Sequence, residues 1–433
     1  MGVNKVASNK VIYAYLGLPG TESWLFSQPG LTPYILSEHR LRLAAGNPQL
    51  QLSSEGNLET AINPAPAPLV ERLLDQLMRQ RLDMQDPFIL AVNLLSRKRL
   101  RWFRRLVKEA WGYRVIIIDG MSGPSRPDSD LAIAAGYDTD VRYRWSRYLA
   151  RYSAVDWSAL GTVISPEQFL KILQHALEFQ PVSDETNRLV IFSDIHGDAT
   201  NLRTHLAELA TPDTEFAFLG DAIDRGEDSA GVIRALLAQN SGLQLLGNHE
   251  HRLLTWYQEH RISQSGAEDF AQVTLPQLES ANVSRAEIQQ FISELGTHLA
   301  LEFAGRKFLL SHAGLEPAQV GHWLNPRSLT DGIALAPSDS FIHGVRVGQQ
   351  SVYLRDIDQI WANSVAMKDI IAIHGHRNRF DRDVTSAQGM SINLTDGDGE
   401  TFRYLVLTAA DHRFVLHIDQ RDGSQQRMIS GNF

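Results

Sequence analysis

The 433-residue chain contains no cysteine, which excludes a disulfide framework and leaves no thiolate to compete for a metal. It also lacks any apolar run near the ~18 residues that a membrane-spanning helix requires. Its N-terminus shows none of the charged, apolar and small-residue regions of a secretory signal. No internal repeat is evident. Taken together, these absences predict an intracellular, cytoplasmic protein with no membrane partner. With 43% hydrophobic and 21% charged residues, the chain has the composition of a soluble globular protein, and its length suffices for two domains with separate cores. Basic charge is scarce in only one part of the chain. Residues 1–185 hold 21 Lys and Arg against 19 Asp and Glu, a net of +2, whereas the remainder holds 20 against 31, a net of −11. A polar stretch near residues 180–187 follows an apolar helical pattern over 166–179 and marks the expected boundary.

What is present in the acidic part is a series of apolar runs, each ending in polar residues. Leu189–Ser193 runs into Asp194-Ile195-His196-Gly197, and Phe216–Leu219 into Gly220-Asp221-Ala222-Ile223-Asp224-Arg225-Gly226. Leu243–Leu246 runs into Gly247-Asn248-His249-Glu250, Phe308–Leu310 into Ser311-His312-Ala313-Gly314, and Ile370–Ile373 into His374-Gly375-His376. Short apolar runs bounded by Gly, Asn and Asp read as buried strands, and ligands collect beyond the carboxyl ends of strands in open α/β sheets. Five strand ends would therefore bring hard oxygens and imidazole nitrogens to one place, a mixture suited to Mn, Fe or Zn rather than Ca. The glycines at 197, 220, 226 and 247 would let the backbone turn sharply there.

The order and wording of these clusters resemble the calcineurin-like metallophosphoesterases, most closely the phosphoprotein phosphatase branch, over roughly residues 186–410. The resemblance implies a four-layer α/β/β/α sandwich and two divalent metal ions, with manganese first and Fe, Zn or Ni as alternatives. Motif by motif, it places Asp194 and His196 on one metal, Asp221 between both, and Asn248, His312 and His376 on the second. It makes His249 the general acid, oriented by Asp224, with Arg225 clamping the phosphate through its planar fork. Hydrolysis by a metal-activated hydroxide follows from such a pair. Many relatives carry Gly-His-x-His, whereas this chain reads Gly375-His376-Arg377-Asn378, a departure that the phosphoprotein phosphatase branch shares. A second substrate arginine of that branch falls between the last two histidines, where Arg355 is favoured over Arg346. His374, which precedes the Gly-His pair, reads as a core histidine rather than a ligand. A helical insertion is expected over about 251–297, as one wall of the substrate cleft.

The first 182 residues carry a second, weaker resemblance. Val11–Leu16 reads as a strand leading into Gly17-Leu18-Pro19-Gly20-Thr21-Glu22-Ser23-Trp24, which resembles the start of a phosphate-binding P-loop. The lysine and the hydroxyl that such a loop needs at its end are replaced, and Glu22 adds negative charge. Ile35–Arg42 and Phe88–Leu94 resemble the next segments of polynucleotide-kinase-type proteins, with Leu90 where the second acidic strand carries aspartate. The domain order resembles that of bacterial polynucleotide kinase/phosphatases. It implies a degenerate P-loop kinase-like α/β domain over 1–182, without kinase activity, followed by a metallophosphoesterase domain over 186–433.

For the substrate, the domain order and the basic segment Arg97–Lys108 favour RNA ends or nucleotides as the phosphate ester. A serine/threonine phosphoprotein phosphatase and a dinucleoside polyphosphate hydrolase are the alternatives within the same chemistry. A non-catalytic binding scaffold is the alternative of a different class.

Overall fold

The computed structural model describes residues 9–52, 56–121, 140–239, 243–259, 270–396 and 399–433. The described residues divide into two compact units, Lys10–His175 with Pro326–Ala336, and Ala176–Asn325 with Pro337–Phe433 and Asn9.

The first unit is built on an all-parallel sheet. Its strands are β1 (Val11–Leu16), β2 (Ile35–Ser37), β3 (Phe88–Ala91), β4 (Arg114–Asp119) and β5 (Thr162–Ile164), in the order β2-β3-β1-β4-β5. Alternate side chains of β1 and β3 enter two different cores, Ile12, Ala14, Phe88 and Leu90 on one face and Val11, Tyr13, Ile89 and Ala91 on the other. Both faces are therefore covered, which is why these strands read as continuous apolar runs. Helices α1 (Ser23–Ser27), α2 (Arg97–Glu109) and α3 (Pro166–Leu173) belong to this unit. A Ser165/Gln168 capping box starts α3, which stops at Leu173 rather than continuing to 179. Leu329 and Leu335, distant in sequence, complete the core that contains Tyr13 and Phe169.

The second unit contains β6 (Gln180–Pro181), β7 (Arg188–Phe192), β8 (Thr214–Phe218), β9 (His298–Phe303), β10 (Arg306–Ser311) and β11 (Ile370–His374). It continues with β12 (Val384–Ser386), β13 (Met390–Asn393), β14 (Thr401–Thr408), β15 (Arg413–Gln420) and β16 (Gln426–Asn432). Two sheets result, β8-β7-β14-β15-β16 and β12-β13-β11-β10-β9-β6. The stretch expected as a linker near 180–187 contributes an edge strand, because Gln180 and Pro181 pair in parallel with Leu301 and Glu302 of β9.

One apolar cluster joins the two sheets, with Leu189, Ile191, Ala217 and Leu405 from the first facing Leu299, Phe308, Leu310, Ile371 and Ile373 from the second. On the outer face of the first sheet lies helix α4 (Ala199–Leu209), whose His205 stacks on Phe402 and Tyr404. On the outer face of the second, Trp361 of the helix Ile357–Ala362 donates to the Ile370 carbonyl. The expected α/β/β/α sandwich is thus present. Helices α5 (Ser229–Gln239) and α6 (Asn248–Glu259) follow β8 and the Gly247 turn. Beyond α6, the expected helical insertion contains the helices Leu275–Ser280 and Arg285–Glu294, and its residues 260–269 lie outside the described ones. No helix among the described residues is long and apolar enough to cross a membrane.

Candidate metal centre

The turns after β7, β8, β10 and β11, with the first turn of α6, bring the named side chains together. Backbone conformation does much of the positioning. Asp194, His196, Asp221, Asp224, Arg225 and His376 all have φ between +50° and +73°, a region that residues with a Cβ seldom occupy and that concentrates at functional sites. Two of the glycines serve a different need. A Cβ on Gly226 would run into the His196 carbonyl oxygen, and one on Gly247 into the Asp221 amide and carboxylate.

Glu250 holds these turns in register. Its buried carboxylate accepts from the backbone N–H groups of Asp221 (2.8 Å), Ala222 (2.9 Å), Ile223 (3.3 Å) and Gly247 (3.0 Å). Burial, reinforced by the charge of Asp221, pushes this carboxyl up to about 7.

Each proposed histidine ligand has one ring nitrogen engaged and the other facing inward. His196 Nδ1 lies 3.3 Å from the Ile223 carbonyl and His312 Nδ1 2.9 Å from the Leu219 carbonyl, which turns both Nε2 atoms toward the cluster, where Arg225 Nη1 also approaches that of His196. His376 is reversed, with Nε2 3.0 Å from the Tyr353 hydroxyl and Nδ1 2.9 Å from the amide of Asn248. Asp221 turns Oδ1 toward His312 Nε2 (3.3 Å) and Oδ2 toward His196 Nε2 (4.0 Å). One oxygen therefore faces each side of the cluster. Asp194 is fixed by the Ser193 hydroxyl at 2.7 Å and the His376 N–H at 3.2 Å.

These residues fit a pair of divalent cations. The inward amide atom of Asn248 lies 3.1 Å from His312 Nε2 and 3.1 and 3.2 Å from the two oxygens of Asp221. As an oxygen it is one acceptor among acceptors, an arrangement that a cation resolves. Burial raises Asp194 to about 6, while for His312 the burial that would lower it is outweighed by the Asp221 carboxylate, which lifts it to about 9. Close-set ligand atoms occur in the groups His196, Asp221 and His249, Asp221, His312 and His376, and Asp194, His196 and Asp396.

Beside the cluster stands an acid pair. His249 Nδ1 lies 2.6 Å from Asp224 Oδ2, and His249 Nε2 3.7 Å from Asp221 Oδ2. Asp224 is wholly buried, and its other oxygen accepts from the Thr274 hydroxyl. Arg252 Nη1 sits 3.4 Å from Asp224 Oδ2 and 3.1 Å from His249 Nδ1.

The arginines divide. Arg225 is exposed, with Nη1 3.1 Å from His196 Nε2. Arg355 is not part of this grouping, since its guanidinium forks onto Glu316 at 2.5 and 3.0 Å. Arg346 is exposed. His374 turns away to Asp358 at 3.0 Å, as expected of a core histidine. The reading from sequence missed Arg252, Thr274, Tyr353 and Asp396. Only Arg252 had a signal, its place one helical turn after His249.

In the first unit, the loop after β1 closes on itself, because the Glu22 carboxylate accepts from the Gly20 N–H at 2.8 Å. On α2, Arg99 is buried and forks onto Glu38 at 2.9 and 2.8 Å, and Lys98 pairs with Glu71 at 2.5 Å. Arg97, Arg101, Arg104, Arg105 and Lys108 are exposed, and no ion pair to them occurs among the described residues. Spaced at i, i+4, i+7, i+8 and i+11, they form one stripe. Trp102 is half-buried, donates to Asp75 at 3.0 Å and has the Arg99 guanidinium over its ring, and Phe103 is buried.

Compared with known proteins, residues 187–394 match the family model described as calcineurin-like phosphoesterase. No curated protein matches the chain. Among solved structures, the chain is similar to a metallophosphoesterase from Sphaerobacter thermophilus, at 17% identity over 54% of this chain and 88% of that one, with a TM-score of 0.34. It is also similar to a protein serine/threonine phosphatase from Saccharomyces cerevisiae, at 12% identity over 69% and 96%, with a TM-score of 0.34. Overlaps this loose identify no substrate.

Proposed function

We propose that this chain, a metal-dependent hydrolase by virtue of the calcineurin-like phosphoesterase domain of residues 187–394, removes phosphate from RNA ends or nucleotides. The observation that carries the chemistry is Asp221, whose two oxygens face different histidines within a buried cluster. Asp194, His196 and Asp221 would hold one cation, and Asp221, Asn248, His312 and His376 the other, with manganese the first choice for this donor set. When bound, the cations neutralise charge on the phosphoryl group and activate water for in-line attack. Arg225 takes phosphoryl oxygens with its planar fork. His249 gives its Nε2 proton to the departing ester oxygen as the P–O bond breaks. Asp224 accepts from Nδ1–H, which orients the ring and stabilises the imidazolium whose Nε2–H is given up.

The stripe on α2 supports RNA over the phosphopeptide alternative. Five exposed cations along one helix face suit a run of backbone phosphates, whose binding releases counterions and so weakens with salt. Such contacts to backbone phosphates would be electrostatic and indifferent to sequence. The test is a panel of 3′-phosphorylated and 2′,3′-cyclic RNA ends, phosphopeptides and dinucleoside polyphosphates at two salt concentrations. The reading expects the highest kcat/KM on RNA ends, falling with salt and with Arg101→Glu plus Arg105→Glu. Preference for phosphopeptides with no effect of salt or of those substitutions would overturn it.

We also infer that the first unit is a P-loop kinase-like module without kinase activity. The Glu22 carboxylate occupies the Gly20 amide that a phosphate would need, and α1 has only five residues. Leu90 lies beside Ala14 in the register of β1 and β3, where an acidic side chain is required. Transfer of phosphate from ATP to an RNA 5′ end by the Asp221→Asn protein would refute this.

A further inference from the structure

We propose that Asp396 is a fourth protein ligand of the first metal, taking the place of the histidine that this chain lacks at 378. The inference rests on the two-metal reading above and goes beyond the ligand set assigned there. Asn378 is exposed and points away, its Nδ2 donating to the Tyr353 carbonyl at 2.7 Å. The turn after β11 therefore supplies the second metal, through His376, and nothing to the first. The first side is completed from another element. Asp396, in the turn between β13 and β14, is only 3% exposed. Its carboxylate joins Asp194 and His196 in a buried group whose ligand atoms all lie within 4.8 Å of one another.

Asp396 also has an ordinary partner, and the two roles must be separated. Arg421 Nη2 is 3.3 Å from Asp396 Oδ2 and 3.1 Å from the Asp194 carbonyl, while its Nη1 binds Asp198 at 2.8 Å and the Ile195 carbonyl at 3.0 Å. Arg421 is thus held mainly by backbone carbonyls and Asp198. A carboxylate needed only to seat that arginine would not have to share a ligand-sized space with Asp194 and His196. Two buried carboxylates, Asp194 and Asp396, thus stand together with one imidazole, a donor set that suits a cation.

This assignment makes the two sites unlike. The first presents three carboxylates and one imidazole, and the second one carboxylate, one amide and two imidazoles. Oxygen-rich sites suit harder cations. Loss of Asp396 should therefore weaken one site and spare the other.

The test is Mn²⁺ titration of the metal-stripped full chain, followed by electron paramagnetic resonance, for wild type, Asp396→Asn and Arg421→Gln. Apo melting temperatures serve as the folding control. Wild type should bind two ions. Asp396→Asn should bind one with unchanged affinity and the other roughly tenfold or more weakly, the least that loss of a group supporting a metal ligand costs. Arg421→Gln should keep both. Equal affinities in Asp396→Asn and wild type, or the same loss in Arg421→Gln, would overturn the assignment. If Asp396→Asn does not fold, Asp396→Glu gives the same choice, with weakening confined to one site for the proposal and two unchanged sites against it. A wild type that binds no Mn²⁺ would instead sink the two-metal reading itself.

Discussion

His249 sits with one ring nitrogen on Asp224 and the other toward Asp221, so the ring is oriented, and its protonated form stabilised, by a partner that plays no direct part in bond breaking. Replacing His249 with Ala should lower kcat by about 10²–10⁴-fold on an alkyl phosphate. It should lower it much less on p-nitrophenyl phosphate, whose leaving group needs no proton. Steady-state kinetics on the two esters read the difference, and equal losses would argue against a general acid. Tyr353 acts at one remove, through His376 Nε2. Tyr353→Phe should weaken Mn²⁺ binding at one site by about tenfold while leaving the melting temperature in place. His298, outside the centre, gives a pH signature. Burial lowers it to about 4 from an ordinary 6.5, so the fold favours the neutral ring. Its contribution is present in full above pH 6.5 and is lost as the pH falls toward 4, because the unfolded chain takes up the proton first. The loss is on the order of 3 kcal/mol. Thermal unfolding between pH 7 and 4 should show a shallower decline in His298→Gln than in wild type. At this scale the sequence was most legible where a motif binds residue to strand end, as in Asp194, Asp221 and His312. Tyr353 reaches the site from a separate element with no motif of its own, and Arg355, chosen by position alone, is turned to Glu316.

Elements explain why the motifs work. Strands β7, β8, β10 and β11 form where the apolar runs predict them, since a run buried on both faces needs no alternation. Leu243–Leu246 differs, for its neighbourhood yields only isolated bridges, Phe218 with Gln244 and Leu245 with Gly296. Its role is to deliver Gly247 and α6 to the cluster. The turns were only half legible. Glycines were expected to supply the unusual backbone, yet six side-chain-bearing site residues adopt positive φ themselves, at roughly 1–3 kcal/mol each. Glu250 and the ligand network offset that strain. Gly247→Ala places a methyl group against the Asp221 backbone and carboxylate. It should abolish metal binding before it unfolds the sheet, which metal analysis beside circular dichroism would reveal. Retention of two metals per chain would show that the turn can relax.

On the scale of the whole molecule, charge and composition place a boundary near residues 180–187, and they carry no sign of the path that the chain takes. Pro326–Ala336 belongs to the first unit, and Leu329 and Leu335 are buried in its core. A fragment ending at residue 182 would leave those core neighbours uncovered. At about 1.5–3 kcal/mol for each buried leucine, it should unfold at a clearly lower denaturant concentration than the same fragment with residues 326–336 linked back. Equal midpoints would show that the segment contributes little. No local pattern could have marked this, because the partners lie more than a hundred positions apart and meet only once the fold exists. The central proposal concerns the second unit, where a buried set of Asp, Asn and His side chains would hold two divalent ions on which ester hydrolysis depends. The most direct test is metal content per chain measured alongside aryl phosphate turnover, for wild type before and after chelation and for Asp221→Asn. Two ions and Mn²⁺-dependent turnover in wild type, both lost on chelation and in Asp221→Asn, are the predicted result. Turnover that persists in metal-free protein, or two ions and full activity in Asp221→Asn, would contradict it.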